Sequence, residues 1–202
     1  MIELNDKTLK RFQIQLKKIY VGKADMKRTR PVLNQINYTD SGHVQITNSH
    51  VAVRLSNVHN KSTNDKLYPN MDGIFKLPYD LHPIDFKIQD MKSLEDHLNV
   101  LYRNGIEQVR ITLNSEGITI VEQPDRNRYP HETFLQSQIK QQLDLSNEYE
   151  IIVNTRYLHD ALMFFRLIKV PKITIHLSEN PLRPIHLTYE NLHYIIVPIR
   201  TK

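Results

Sequence analysis

Cysteine is absent from the 202-residue chain, which excludes disulfide bonds, thiolate metal sites and cysteine nucleophiles. Glycine occurs five times, and the chain contains neither a glycine-rich phosphate loop nor a glycine-flanked serine nucleophile. No apolar run is long enough to cross a membrane, and the segment from Met1 to Asn5 lacks the pattern of a signal peptide. These absences predict a soluble cytoplasmic protein from a reducing compartment.

Histidine is frequent, but its spacing is not that of a zinc enzyme. Adjacent carboxylates such as Glu95 and Asp96 point in different directions along a helix. The ten histidines are His43, His50, His59, His82, His97, His131, His159, His176, His186 and His193. The sequence therefore predicts no catalytic site, no metal site and no cofactor.

Basic residues outnumber acidic ones by 27 to 22, and the net charge of +5 indicates a mild preference for polyanions. The segment from Asp6 to Tyr20 has helical spacing, with apolar residues on one face and cations on the opposite face. These cations are Lys7, Lys10, Arg11, Lys17 and Lys18. Two interpretations stay open, a solvated helix face or a surface that contacts nucleic-acid phosphates.

Short alternating strands follow this helix. Strands are predicted at 33–38, 44–47 and 51–55, and together they form a three-stranded meander. The polar stretch from Asn57 to Asp65 has the composition of a linker. We therefore place a domain boundary near residue 66, which gives domains 1–66 and 67–202.

The order strand, helix, meander then occurs twice more. The second copy is predicted to contain a helix that buries Leu94, Leu98 and Leu101, and the third a helix from the capping residue Asn154 to Ile168. The predicted strands of the two copies are 85–88, 109–113, 118–122, one within 133–145, 149–153, 172–177, 184–189 and 194–198. Such a repeat predicts an α+β fold with antiparallel sheets and helices on one face.

The run from His193 to Arg200 is rich in β-branched and aromatic residues and is interrupted by Pro198. Other apolar residues lie beside turns, where a simple core would not require them. Their grouping suggests a surface groove for an apolar peptide, whereas each residue taken alone is also compatible with the core.

Several short motifs follow one another in a fixed order along the chain. They are Thr29-Arg30-Pro31-Val32-Leu33 with Thr47-Asn48-Ser49-His50, Leu67-Tyr68-Pro69-Asn70, Asn154-Thr155-Arg156-Tyr157-Leu158, Leu182-Arg183-Pro184 and Tyr194-Ile195-Ile196-Val197-Pro198-Ile199-Arg200. Together they resemble the bacterial DNA sliding clamp, the β subunit of DNA polymerase III. The resemblance implies a DNA-clamp fold and a processivity factor that is not an enzyme.

The resemblance covers only part of a clamp subunit. Residues 1–66 resemble the first half of the clamp's middle domain, and 67–202 resemble its complete third domain. The chain is thus expected to be a shortened clamp-like protein from a phage or mobile element. Clamps are typically acidic, so a basic chain should differ in its outer surface or in its contact with DNA.

The clamp family holds short motifs of polymerases and the clamp loader in a groove between its middle and third domains. The resemblance assigns the walls of this groove to Leu33, Thr47, His50, Ala52, Pro69, Ile74, Leu182, Pro184, Ile195, Val197, Pro198 and Ile199. Ala52 is smaller than the leucine that clamps usually carry, which predicts a wider groove on that side.

The family contacts double-stranded DNA through basic residues on its helices. The resemblance assigns this contact to Lys7, Lys10, Arg11, Lys17, Lys18, Arg156, Arg166 and Lys169. Encircling DNA would require self-association into a homo-oligomer. Two alternatives stay open: a clamp mimic that forms no ring and sequesters or modulates host replication proteins, and a plain basic DNA-binding module.

Overall fold

A computed structural model describes residues 10, 12–14, 16, 31–58, 67–77, 81–122, 136–140, 148–178 and 180–200. Within these residues the strands are β1 (Asn37–Tyr38), β2 (Val44–Thr47), β3 (Val51–Leu55), β4 (Leu81–Lys87), β5 (Gln108–Asn114), β6 (Gly117–Glu122), β7 (Gln136–Lys140), β8 (Tyr149–Asn154), β9 (Lys172–Ser178), β10 (Ile185–Tyr189) and β11 (Leu192–Ile196). The helices are α1 (Ile88–Arg103) and α2 (Thr155–Leu167), and Pro31–Asn34 forms a 3₁₀ turn. In this part of the chain we find no helix with the length and apolar character needed to cross a bilayer.

The described strands form two antiparallel sheets. One has the order β1-β2-β3-β11-β10-β9-β4, and the other has the order β7-β6-β5-β8. The second and third repeats exchange their first strands, because β4 pairs with β9 and β8 pairs with β5. The first repeat joins this arrangement through β3, which pairs with β11. The predicted α+β class with antiparallel sheets is confirmed.

Two predicted strands are wrong at their ends. The 33–38 strand is reduced to Asn37–Tyr38, because Pro31 fixes its backbone φ and starts a 3₁₀ turn instead. The last strand was expected to reach Pro198 but stops at Ile196. Pro198 has no N–H to donate, and the N–H of Ile199 donates to the carbonyl of Ile152 in the other sheet, at 2.8 Å.

Strand β4 begins earlier than predicted and contains Pro83. Proline is tolerated there because β4 lies at the edge of its sheet, where one row of N–H groups needs no partner strand. Its last residue, Lys87, leads directly into α1, so the predicted strand residue Ile88 is helical. The domain boundary near residue 66 lies outside the described residues.

The core contains an aromatic cluster that joins α2, β11 and the N-terminal helical residues. The ring of Phe164 lies 5.5 Å from Phe12, 5.8 Å from Phe165 and 5.7 Å from Tyr194, measured between ring centroids. All four side chains are fully buried. Residues 10, 12–14 and 16 are helical, as the predicted helix over 6–20 requires.

Helix α2 begins as its sequence predicts. The side-chain oxygen of Asn154 accepts hydrogen bonds from the backbone N–H groups of Arg156 at 3.0 Å and Tyr157 at 3.3 Å. Such a cap satisfies N–H groups that have no partner inside the helix and contributes about 1 kcal/mol. It also fixes the position of Tyr157 in the first turn of α2.

Candidate peptide-binding groove

One face of the seven-stranded sheet packs into the core, and the other face carries most of the candidate groove. Side chains alternate between the two faces along each strand. The pairing register places Thr47 opposite Ala52, Ala52 opposite Ile195 and Ile195 opposite His186. These four side chains form a row on the outer face, because Ile46, Val53, Tyr194 and Leu187 occupy the core face.

A second row lies at the end of the same face. The backbone carbonyl of His50 accepts a hydrogen bond from the N–H of Val197 at 2.9 Å. The register of β10 with β11 brings Pro184 opposite Val197, one residue beyond the last paired strand positions. The loop just before Pro184 carries Leu182. Exposed fractions of 41% for Val197 and 53% for Leu182 leave apolar surface open to a partner.

Residues 67–77 lie over the first row, and we refer to them as the covering segment. Its side chains Tyr68, Met71 and Phe75 are buried in a cluster with three residues from the sheet side, Leu33, Ala52 and Ile195. The phenolic oxygen of Tyr68 accepts a hydrogen bond from the backbone N–H of Thr47 at 3.0 Å. Burial raises the pKa of Tyr68, so its hydroxyl stays neutral.

The covering segment has an outward side as well. Pro69 is exposed, and Ile74 and Leu67 have exposed fractions of 44% and 80%. Apolar side chains therefore line the rim of the groove, while the floor beneath them is already filled by Tyr68, Met71 and Phe75.

The side chain of His50, in the first repeat, is held in position by a contact with an aromatic ring of the third repeat. Its imidazole stacks on the phenol ring of Tyr157, with centroids 5.8 Å apart and an angle of 17° between the planes. Burial raises the pKa of Tyr157, and its ring is half-buried. Tyr157 thus lies beside the candidate groove, and it is not among the twelve predicted groove residues, although it belongs to the Asn154–Leu158 motif.

The tail after β11 leaves the outer face. Pro198 is buried, and Ile199 is half-buried and bonded to the other sheet through Ile152. Of the twelve predicted groove residues, seven therefore share one surface: Leu33, Thr47, His50, Ala52, Pro184, Ile195 and Val197. Pro69, Ile74 and Leu182 lie in neighbouring turns, and Pro198 and Ile199 turn toward the second sheet.

The predicted DNA-contacting cations differ in their environments. Arg166 donates to both carboxylate oxygens of Glu95, at 2.6 and 2.8 Å, and these bonds raise the pKa of Arg166. Arg156 lies 3.6 Å from the Asp160 carboxylate and 5.7 Å from the centre of the Tyr102 ring. Lys10 and Lys169 are exposed. Lys7, Arg11, Lys17 and Lys18 lie outside the described residues.

The fold has clear counterparts among solved structures. The chain is similar to the β subunit of DNA polymerase from Streptococcus pyogenes, with a TM-score of 0.70 and 15% identity over 96% of this chain and 64% of that one. It is similar to the β sliding clamp of C. crescentus, with a TM-score of 0.73 and 12% identity over 98% and 64%. The chain has the sliding-clamp fold.

A third clamp was solved with a peptide. The Helicobacter pylori β clamp bound to a DNA ligase peptide matches with a TM-score of 0.67 and 12% identity, over 96% of this chain and 63% of that clamp. The chain therefore spans less than two thirds of the length of the clamps it matches. No family model matches the sequence, and no curated protein matches it.

The structure places further residues beside the candidate groove that the motifs left out. Tyr68, Met71 and Phe75 form the underside of the covering segment, and Tyr157 supports His50. Tyr68, Met71 and Phe75 are spaced three and four residues apart, and such spacing indicates that one face of the segment is buried. That signal is not specific, because the same spacing occurs in ordinary core segments.

Proposed function

We propose that the chain is a clamp-like replication protein, without catalytic activity, that binds short apolar motifs of a polymerase or clamp loader. The observation that carries this proposal is the row of His50, Val197 and Pro184 at the end of the sheet. Leu182, two residues before Pro184, and Ile74 of the covering segment are exposed apolar side chains as well. The clamp fold, which in the Helicobacter pylori protein was solved with a DNA ligase peptide, supports the same assignment.

The chemistry of the groove favours a peptide with large apolar side chains. The floor is apolar and filled, so a partner would add its anchors against Val197, Leu182 and Ile74 instead of entering a deep cavity. Burial of one leucine or phenylalanine side chain contributes about 1.5–3 kcal/mol, and two such anchors give affinities on the order of micromolar after the cost of association.

Val197→Asp should weaken peptide binding at least about tenfold, because the partner would have to desolvate a carboxylate in the row that is proposed to receive its anchors. The measurement is a fluorescence-anisotropy titration with a labelled peptide that carries leucine and phenylalanine anchors. Val100→Asp is the matched control, since Val100 is an exposed valine on α1 with an exposed fraction of 49%.

Wild type and Val100→Asp should bind alike and saturably in the micromolar range. Absence of saturable binding by the wild-type protein, or equal affinity for all three proteins, would remove the peptide-binding proposal. Circular dichroism of each variant would check that the fold is retained.

We also propose that the protein self-associates and that double-stranded DNA passes beside α1 and α2. One sheet edge supports this, because β7 ends its sheet and in the described part of the chain no further strand pairs with it. The exposed cations Lys10 and Lys169 support the DNA contact. The origin from a phage or mobile element stays a prediction, because a fold does not identify the source of a protein.

Sedimentation velocity over a range of protein concentrations should show a rise in mass, because edge strands expose unpaired N–H and C=O groups to a second copy. A species that stays monomeric at high concentration, with and without duplex DNA, would contradict the ring and favour a clamp mimic that forms no ring. Peptide binding by such a monomer would leave the groove proposal intact.

A further inference from the structure

Three histidines lie next to one another on the outer face of the seven-stranded sheet. His176 on β9 is directly opposite His186 on β10, and His193 on β11 is directly opposite Arg54 on β3. His186 pairs with Ile195, two residues beyond His193, so His186 and His193 are diagonal neighbours. Direct neighbours of this kind have Cβ atoms about 5 Å apart, and diagonal ones about 7–8 Å. We call these three residues the histidine cluster.

The covering segment is seated against one member of this cluster, His193, and against Arg54 beside it. The ring of Phe75 meets His193 edge-on, with centroids 6.3 Å apart, and the Arg54 guanidinium lies 4.2 Å from the centre of the same ring. Asp72 of the covering segment accepts a hydrogen bond from Arg54 at 2.7 Å. His193 and Arg54 therefore form part of the surface on which Phe75 rests.

Two ring nitrogens of the cluster lack a hydrogen-bond partner within the described structure. His176 shares a hydrogen bond of 2.8 Å between its Nε2 and the Thr188 hydroxyl. The Nδ1 atoms of His186 and His193 are buried and have no hydrogen-bond partner in the described structure. His186 is only 2% exposed. Within the described residues the cluster does not have the arrangement of a metal site.

The charges around the cluster would compensate for added protons only at His176, where the Asp85 carboxylate opposes the effect of burial on the pKa. Arg54 on β3 already places a positive charge beside His193. The nearest acids are engaged: Asp72 accepts from Arg54, and Asp85 on β4 accepts from Lys172 and Thr174 on β9. The remaining charged groups, Lys76 of the covering segment and Glu190 in the β10–β11 turn, are exposed. A protonated cluster would therefore be a group of like charges, buried at His186 and half-buried at His176 and His193.

We propose that the covering segment is a proton-sensitive flap, which stays on the sheet while the histidine cluster is neutral and lifts when the cluster takes up protons. Opening would expose His193 and Arg54 to water, so the added charge is solvated. The same movement would carry Ile74 and Pro69 away from the groove and separate Ala52 and Ile195 from their cover.

The direction of the pH dependence follows from burial. Burial lowers the pKa of His176, of His193 and of His186, the last to about 4. The other two histidines lower the pKa of His186 further, and Arg54 and His176 do the same for His193. For His176 the carboxylate of Asp85 opposes the effect of burial, which remains the larger one. Histidine in an open chain has a pKa near 6.5, so the open state binds more protons below that pH. The closed segment is thus favoured fully above about pH 6.5 and is destabilised as the pH falls toward about 4.

Hydrogen exchange measured by mass spectrometry tests this without any peptide. Between about pH 7.5 and about pH 5, protection of 67–77 should fall about tenfold or more after correction for intrinsic exchange. Protection of β5 should stay unchanged over the same range. A uniform loss across the chain would indicate acid unfolding and overturn the proposal, as would equal protection of 67–77 at both values.

His193→Gln with His186→Gln should remove most of the pH dependence, because glutamine keeps hydrogen-bonding capacity without taking up a proton and only His176 of the cluster still titrates. His159→Gln, a histidine on α2 outside the cluster, is the matched control and should keep the wild-type response. If the double variant fails to fold, NMR titration of the histidine rings in the wild-type protein tests the proposal instead. Proton uptake by the cluster and opening of 67–77 must then share one midpoint, and separate midpoints would overturn the proposal.

Discussion

Phe164→Ala should lower the free energy of unfolding by about 3–5 kcal/mol, the cost of removing a fully buried phenylalanine and leaving a cavity. Phe164 is the residue where three parts of the fold meet. Its ring contacts Phe12 of the N-terminal helical residues, Phe165 of its own helix and Tyr194 of β11. The loss should therefore weaken both the core of the last repeat and the attachment of the first.

Urea denaturation followed by circular dichroism measures this change. Met163→Ala is the matched control, since Met163 is the neighbouring residue on α2 and is only partly buried against the same core. Its expected cost is about 1 kcal/mol. Equal losses for the two variants would contradict the central position of Phe164.

Arg166→Ala should destabilise the protein by about 2–3 kcal/mol, because it leaves the Glu95 carboxylate buried without its partner. Glu95 is 7% exposed and receives two hydrogen bonds from Arg166, which joins α2 to α1. Since the Arg166 side chain is itself 38% exposed, solvent screening keeps this figure below the cost expected for a fully buried pair.

Thermal or urea unfolding measures this loss. Two further variants, Lys169→Ala and the double variant Glu95→Leu with Arg166→Met, show whether the unpaired carboxylate or lost packing causes it. Lys169 is exposed at the end of the same helix and should change stability by less than about 0.5 kcal/mol. The double variant removes both charges and should recover much of the loss. A double variant as unstable as Arg166→Ala would show that packing, and not the unpaired carboxylate, sets the cost.

The ion pair also bears on the proposed DNA contact. A guanidinium that donates to both oxygens of Glu95 has its charge paired with a carboxylate and two of its donors engaged, whereas Lys10 and Lys169 are exposed. Arg166 is thus better explained by its structural role, and the exposed lysines are the better candidates for DNA contact. The sequence could not distinguish them, because Glu95 is far from Arg166 along the chain.

Local features were predictable because neighbouring residues determine them. Strands β2 and β3 have the predicted bounds, since their apolar residues alternate and polar turns flank them. Asn154 was identified as a helix cap because an amide before an apolar-periodic segment satisfies the first N–H groups. The 3₁₀ turn at Pro31–Asn34 was missed because its apolar residues also fit a short strand.

Long-range features were not predictable from periodicity. The pairing of β3 with β11 and the exchange of β4 and β8 depend on contacts between distant segments, which the pattern within each segment does not specify. The histidine cluster is of the same kind. His176, His186 and His193 become neighbours only when the register of three strands is known, and their spacing along the chain gives no signal.

The same is true of the groove. The clamp resemblance named residues from the first and third repeats, and the register brings seven of them onto one surface. It did not name Tyr157 or the underside of the covering segment, because those residues act through packing against other groove residues. Their placement required the stacking of His50 and the burial of Phe75.

The exchange of first strands between the last two repeats limits the order in which a growing chain can fold. Strand β4 emerges from the ribosome long before its partner β9. The length of chain between β3 and its partner β11 is greater still, so their pairing is delayed further. Until those strands are synthesised, the nascent chain carries exposed strand edges, and Phe164 and Phe165 lack the Tyr194 ring that packs against them. Neither sheet can therefore be completed during the early part of translation, and the molecule is expected to depend on protection from chaperones until its final strands emerge.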